Sequence, residues 1–444
     1  MLYPGSTPIA HSRLAGAVFA LRSAIPFVLL AFYVLPNTLL ADASPLSWSV
    51  LTRTGATDRT ILTALSALCL LAAVPFLSRI RSDGLRILFG GLVAYMVAVA
   101  VSSFMSGASL AGTNDCFAIL LALAVGIGSS FLSPDLKTRA ATVAILIAAQ
   151  AACALWLRSE GLNVVRVEHM AREGGTFDSP ALLYAAIAVG LPMLIVLGSA
   201  SKKTSEAGFW SLGAALALGA LILTGSLTGF VAAGLASLYG LARILRKPAA
   251  IVALGLAMVC ALGFFLSQSP AGTPRAATYA HTLSDRGTVA VAVLKSAKSS
   301  NWSGAGVGNS RIDVEKPTDG SPVHLGAGSP WDAYSLPVRL LSELGVAGLL
   351  IGLMLLAGIL KAAGAARAPE EIAIAAGLVA LAAISLVASP FGSSGNLCGT
   401  ALAGFLLGSV YTFQPRREEA PAAEKPQPEP ERSPMEPAEV AARS

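Results

Sequence analysis

Charge is what this sequence most lacks. Of 444 residues, 13% are Asp, Glu, Lys or Arg while 55% are hydrophobic, and the mean hydropathy is +0.69. Soluble globular chains carry about a quarter charged residues, so that class is excluded. Cysteine is also scarce. Cys69, Cys116, Cys153, Cys260 and Cys398 stand singly within or beside apolar runs, which excludes a disulfide framework and a metal-ligand spacing and leaves them as small packing residues. The first apolar run is followed by no small-residue cleavage signal that stands out from its Ala-rich surroundings, so a cleaved signal peptide is not expected. The formal charge of +6 does not point to nucleic acid, because much of the Lys and Arg falls in connections between apolar runs.

Those apolar runs are what the chain has in abundance. A bilayer core about 30 Å thick takes roughly 20 mostly apolar residues per helix. About twelve runs qualify, near 20–41, 60–78, 87–106, 116–133, 141–157, 181–199, 208–225, 228–245, 249–267, 336–360, 372–389 and 397–413. The expected fold is therefore all-α, a polytopic integral membrane protein of about 12 transmembrane helices. Alternate connections hold Arg79, Arg81 and Arg86; Lys137 and Arg139; Lys202 and Lys203; Arg243, Arg246 and Lys247; and Lys361 and Arg367. Basic residues are retained on the cytoplasmic side, so these connections and both termini are expected there. The opposite face then receives 158–178, the reversal Thr224–Thr228 and one large polar loop, 268–335. The membrane domain is 1–413. Beyond it, 414–444 is rich in Pro, Glu and Ala, cannot bury enough apolar surface to fold, and reads as a disordered cytoplasmic tail.

The outward segments carry the candidate chemistry. Between Arg158 and Pro180 stand Arg158, Arg166, Glu168, His169, Arg172 and Glu173, followed by Gly174-Gly175. This reads as a solvated loop with a glycine turn or as an anion site. Three outward arginines run against the positive-inside trend, and guanidinium is the natural bidentate partner of phosphate. Within 268–335, Ser284-Asp285-Arg286 predicts a short amphipathic helix capped by Ser284, with Arg286 in its first turn. Gly304-Ala305-Gly306-Val307-Gly308 has glycines at alternate positions but no following Lys-Ser or Lys-Thr and no βαβ context. A nucleotide site is not expected, and a backbone turn approaching a ligand or the membrane surface is. Arg339 and Glu343, four apart, fit either an ion pair that makes a polar helix start tolerable or groups facing a cavity. His169, His281 and His324 lie in outward segments without metal spacing.

In their order, these pieces resemble the O-antigen ligase and polysaccharide polymerase family of membrane glycosyltransferases. The resemblance spans roughly Arg172 to Gly348 and rests on four loose motifs. They are Arg172 with Gly175-Thr176-Phe177 and Pro180; Thr224-Gly225-Ser226-Leu227-Thr228-Gly229; Arg286 with the glycines at 304–308; and Glu343-Leu344-Gly345-Val346-Ala347-Gly348. Two departures stand out. Leu227 replaces the family's usual arginine, and Tyr334-Ser335 stands where the ligases carry a His-Asn pair.

The resemblance implies glycosyl transfer without metal or cofactor, on the outer face of the bacterial inner membrane. The implied donor is a glycan on polyprenyl diphosphate and the acceptor a sugar hydroxyl on another lipid-linked glycan. The missing His-Asn pair favours a polymerase over a ligase that transfers to lipid A core. A secondary transporter or lipid-glycan flippase is the reading from another class. Arg172 and Arg286 are the expected diphosphate clamp, with Arg166, Arg339, Tyr334 and Gly306 as further substrate-binding residues. The base is open among His324, His281, Glu343 and Asp332, with His324 favoured because histidine titrates near neutrality unaided. Expected partners are the lipid-linked glycan, the bilayer, and chain-length regulator or export proteins.

Overall fold

A computed structural model describes residues 110–245 apart from a few in the 163–179 connection, 275–306 apart from 300, 312–315, 322–325, 335–388, 397–410 and Phe413, with scattered helical residues in 20–35, 90–98 and 252–267. For 110–118, 164–173, 275–285, 312–315, 322–325 and Leu397 the description is of backbone only. The run at 60–78 and the tail 414–444 lie outside the described residues.

The described chain is helical, with two short hairpins. Its elements are α1 (Leu110–Leu132), α2 (Leu136–Ser159), β1 (Val164–Val167), β2 (Met170–Glu173), α3 (Pro180–Ala200), α4 (Thr204–Thr224), α5 (Leu227–Leu245), α6 (Arg275–Ser299), β3 (Ile312–Glu315), β4 (Pro322–Leu325), α7 (Leu336–Ala365), α8 (Pro369–Ser385) and α9 (Leu397–Val410). Among the described residues, α2, α3, α4, α5 and α7 are long and apolar enough to cross a membrane. Of the other expected spans, 372–389, 397–413 and 116–133 correspond to α8, α9 and α1, while 20–41, 87–106 and 249–267 are described only in part and 60–78 not at all.

Local chemistry sets several boundaries. The Asp135 carboxylate accepts from the Thr138 N–H at 2.7 Å and caps α2. Pro180 opens α3, where its missing N–H costs nothing. Between α4 and α5, Gly225 takes the left-handed conformation (φ 61°) that ends a helix, and the Ser226 hydroxyl accepts from the Gly229 N–H at 3.1 Å to start the next. Glu371 reaches back over the start of α8 and accepts from the Arg367 and Ala368 N–H groups at 2.7 and 3.1 Å.

α3 is central and buried over nearly its whole length, packed by α4, α5 and α8. Lipid is as apolar as leucine, so helices in a membrane are held by close packing of small residues rather than by hydrophobicity. α1 and α9 show this. A methyl on Gly126 would overlap the Ala401 carbonyl, and one on Gly404 would lie 2.7 Å from the Leu123 carbonyl oxygen. Gly408 meets Ile127 and Ser130, so contacts advance along both helices together and the two run parallel. α3 and α5 are parallel as well, with Tyr184 beside Gly229 and Val196 beside Gly240. α3 and α4 are antiparallel, with Leu194 beside Gly213 and Trp210 beside Gly198.

These directions give the bundle two unlike ends. Lys137 lines a cavity with Ser205, Glu206 and Trp210 at the start of α4, next to Lys202 and Lys203. Arg243, at the end of α5, donates to the Gly364 and Ala366 carbonyls, and the Tyr239 hydroxyl donates to the Ala363 carbonyl at 2.6 Å. The ends of α3, α5 and α7 and the starts of α2, α4 and α8 therefore share one side, and Lys137, Lys202, Lys203, Arg243, Lys361 and Arg367 gather there. The hairpin β1–β2, the turn at Gly225 and the start of α7 belong to the other side.

Two local expectations are corrected. The segment 158–178 contains a hairpin, β1 paired with β2, rather than a plain loop. Val164-Val165 and Val167 supply the β-branched residues that strands favour. The helix expected to begin at Asp285 begins at Arg275, so Arg286 sits in its middle and Ser284 is not its cap. Nothing in Ala276-Ala277-Thr278-Tyr279-Ala280-His281-Thr282-Leu283 breaks a helix, and the good formers extend it back towards Pro274.

Candidate functional site

The organising feature of the end away from the basic cluster is a break in α7. Gly345 has φ 67° and ψ −154°, a conformation that interrupts the helix and that only glycine adopts freely. Residues 336–344 form a short helix and 346–365 a long one. The short piece folds back over the long one: Leu340 lies against Gly352, and a methyl on Gly348 would sit 2.5 Å from the Leu340 carbonyl oxygen. At about 1.5 Å per residue, 346–365 and α8 rise comparable distances from their shared connection at 366–368. The Leu336 N–H donates to the Ala388 carbonyl at the far end of α8, so 336–344 lies across the end of the bundle.

A broken helix leaves carbonyls and N–H groups without partners, which is costly away from water. The loop after α6 supplies them. The Ala305 N–H donates to the Ser342 carbonyl at 2.9 Å and the Gly306 N–H to the Glu343 carbonyl at 2.8 Å, while the Val346 N–H donates to the Trp302 carbonyl at 3.1 Å. The approach is backbone to backbone. A methyl on Gly304 would stand 2.5 Å from the Gly345 nitrogen, and Gly304 and Gly306 take φ of 77° and 90°. The glycine turn thus approaches the main chain of α7. At Gly304 a glycine is required because two main chains meet there, and at Gly306 the positive φ favours one.

Just before the break, Arg339 and Glu343 form an ion pair, Nε to Oε1 at 3.1 Å, with both side chains over nine-tenths buried. The ion-pair reading of these two residues therefore holds. Arg286 is half-buried on α6. Val289, Val293 and Ala297 form the buried stripe of that helix, which packs on α7. Its Nη1 donates to the Val387 carbonyl at 2.6 Å, next to the Ala388 carbonyl that holds Leu336. Among the described residues no carboxylate pairs with Arg286. Among the described residues, then, Arg286 is held by a main-chain carbonyl and Arg339 by a carboxylate.

Of the expected site residues, Arg286, Gly306, Arg339 and Glu343 come together at this corner. Arg172 and Arg166 lie on β2 and β1, where Arg172 is opposite Val165 and Arg166 opposite Ala171, and β2 packs against α3 and α4. His324 lies on β4 opposite Asp313, in a hairpin whose β3 neighbours α6. His281 is in α6, and Tyr334 and Asp332 lie outside the described residues. The Gly174-Gly175 connection is followed by Thr176, whose hydroxyl donates to the fully buried Gln150 at 2.8 Å, and by Phe177, buried in the core. This anchors the hairpin to α2 and α3. Gln150, Gly345 as a break and the Val387 carbonyl were not foreseen, although Gly345-x-x-Gly348 after a charged pair was the visible trace of the break. Among the described residues no three His, Cys, Asp or Glu side chains gather as metal ligands.

Compared with known proteins, the chain matches no protein-family model, and no curated protein is similar to it.

Proposed function

We propose that the chain is a polysaccharide polymerase of the bacterial inner membrane, a glycosyltransferase that takes a glycan from polyprenyl diphosphate. It crosses the bilayer about twelve times with both termini cytoplasmic. The basic end faces the cytoplasm by the positive-inside rule, and the corner around Arg286 faces outward. The parallel pairs α1–α9 and α3–α5 support this count, since the proposed crossings give both members of each pair the same direction.

The observation that carries the reading is Arg286, a guanidinium without a carboxylate partner among the described residues, held by one main-chain carbonyl at the outward corner. In the reaction an acceptor hydroxyl attacks the anomeric carbon of the donor. The bond from that carbon to the diphosphate oxygen breaks, the lipid diphosphate leaves with the electron pair, and the hydroxyl proton passes to a base. Negative charge grows on the diphosphate, so an arginine already in place stabilises the transition state. Arg286 and Arg172 take that role, and Arg166 stands on the same hairpin at a register position on the other face. Because Glu343 is engaged by Arg339, the base is taken from His324, His281 and Asp332, with His324 favoured. Tyr334-Ser335, in place of the ligase His-Asn pair, supports lengthening on the lipid carrier over transfer to lipid A core.

One observation favours the other class. Secondary transporters bind substrate at broken helices, and α7 is broken. In transporters the break lies near the bilayer midplane, whereas Gly345 stands about 20 residues, one full crossing, from the basic end. Arg172→Ala or Arg286→Ala in cells with no other copy of the protein tests the polymerase. Loss of long surface polymer is expected; unchanged length and amount would sink both assignments.

A further inference from the structure

Beneath the crossing segment 336–344 an apolar slot runs between the long part of α7 and α8. Leu336 and Leu340 roof it, and Leu349, Leu356, Ala382 and Leu386 line it. Its one hydroxyl, on Ser385, donates to the Leu381 carbonyl at 2.7 Å, so the slot offers a ligand almost only hydrocarbon. Leu353 and Leu386 on its lining are 54% and 58% exposed, so it opens sideways to whatever surrounds the bundle. At its mouth Leu386 is followed by Val387, the residue whose carbonyl holds Arg286. A cation held by a main-chain carbonyl beside an apolar, laterally open slot is complementary to an amphiphile with an anionic head and a hydrocarbon chain.

We propose that this slot receives the isoprenoid chain of the lipid donor, with the diphosphate at Arg286. The proposal rests on the polymerase reading and adds to it the path by which the donor enters, sideways from the bilayer between α7 and α8.

The test uses the full chain in lipid nanodiscs and a polyprenyl diphosphate carrying a diazirine on its chain. Irradiation is expected to label peptides within 336–359 and 382–386. Undecaprenyl diphosphate is expected to suppress the labelling, and phosphatidylglycerol at the same concentration is not. Ala382→Phe fills the slot and is expected to weaken binding of undecaprenyl diphosphate about tenfold while leaving inorganic diphosphate binding unchanged. Should Ala382→Phe fail to fold, Leu353→Trp enlarges a half-exposed lining residue and carries the same expectation. Three results would overturn the proposal. Labelling elsewhere on the chain, or equal competition by phosphatidylglycerol, would do so. So would a wild-type protein that binds inorganic and undecaprenyl diphosphate equally, which leaves the polymerase reading standing. A wild-type protein that binds neither diphosphate removes the polymerase reading itself and the slot assignment with it.

Discussion

Gly304 and Gly345 meet main chain to main chain, so that a methyl group on Gly304 would come within 2.5 Å of the Gly345 nitrogen. That contact holds α7 broken and 336–344 laid across the end of the bundle. Gly345→Ala combines a forbidden backbone angle with a clash against the Trp302 carbonyl, and a loss of about 2–4 kcal/mol is expected. Gly364→Ala, on the same helix with open space around it, is expected to be neutral or slightly stabilising. Thermal unfolding of the two purified variants checks this, and equal melting temperatures would contradict it.

The Arg339–Glu343 pair separates structure from chemistry. Both side chains are buried, so removing one partner strands a charge at a cost of about 3–5 kcal/mol. Arg339→Met or Glu343→Leu alone is expected to lower the melting temperature strongly. The double variant is expected to recover most of it. A double variant as stable as wild type but inactive would show that the pair acts on substrate; one that is stable and active would show that it only holds the helix.

The close pairing of α1 with α9 is expected to be among the least tolerant places in the chain. Gly126→Val forces a side chain into the Ala401 and Phe405 backbone and Gly404→Val into that of Leu123, at an expected cost of at least about 1–3 kcal/mol each. Protease sensitivity in membranes reads the effect. Gly208→Val, which meets nothing within 4 Å, is the control.

Orientation is checked by cysteine labelling in a variant lacking its five native cysteines. Trp302, 43% exposed in the loop after α6, and the exposed Lys202 between α3 and α4 lie at opposite ends of the bundle. Trp302→Cys is expected to react with a membrane-impermeant maleimide added to intact cells, and Lys202→Cys only after lysis. The reverse pattern would invert the topology.

How far the sequence reaches is clear from these same residues. The limits of α3, α4 and α5 could be read from it because their signals are local: Pro180 to start, Gly225 to stop and Ser226 to start again. The ion pair was also readable, since spacing of four on a helix brings Arg339 and Glu343 together. The start of α6 was misread because Ser284-Asp285 looks like a cap, although the helix-forming residues before it outweigh that signal. The break at Gly345 was hidden for a different reason. A glycine inside an apolar run is usually an uninterrupted helix, and the partner that satisfies the broken turn, 302–306, lies some forty residues earlier. The Val387 carbonyl that holds Arg286 carries no side-chain signal at all.

The central claim is that the corner around Arg286 transfers a glycan from a lipid diphosphate. Its most direct test gives purified protein in nanodiscs only a polyprenyl-diphosphate-linked oligosaccharide and measures glycan length on the lipid. Lengthened product is expected from wild type. Arg286→Gln, which keeps a donor for the Val387 carbonyl but loses the charge, is expected to fold and to slow the reaction at least about a hundredfold, the scale at which one transition-state donor acts. Wild-type protein that carries the substrate across vesicles without forming a glycosidic bond, or an Arg286→Gln variant as fast as wild type, would contradict it.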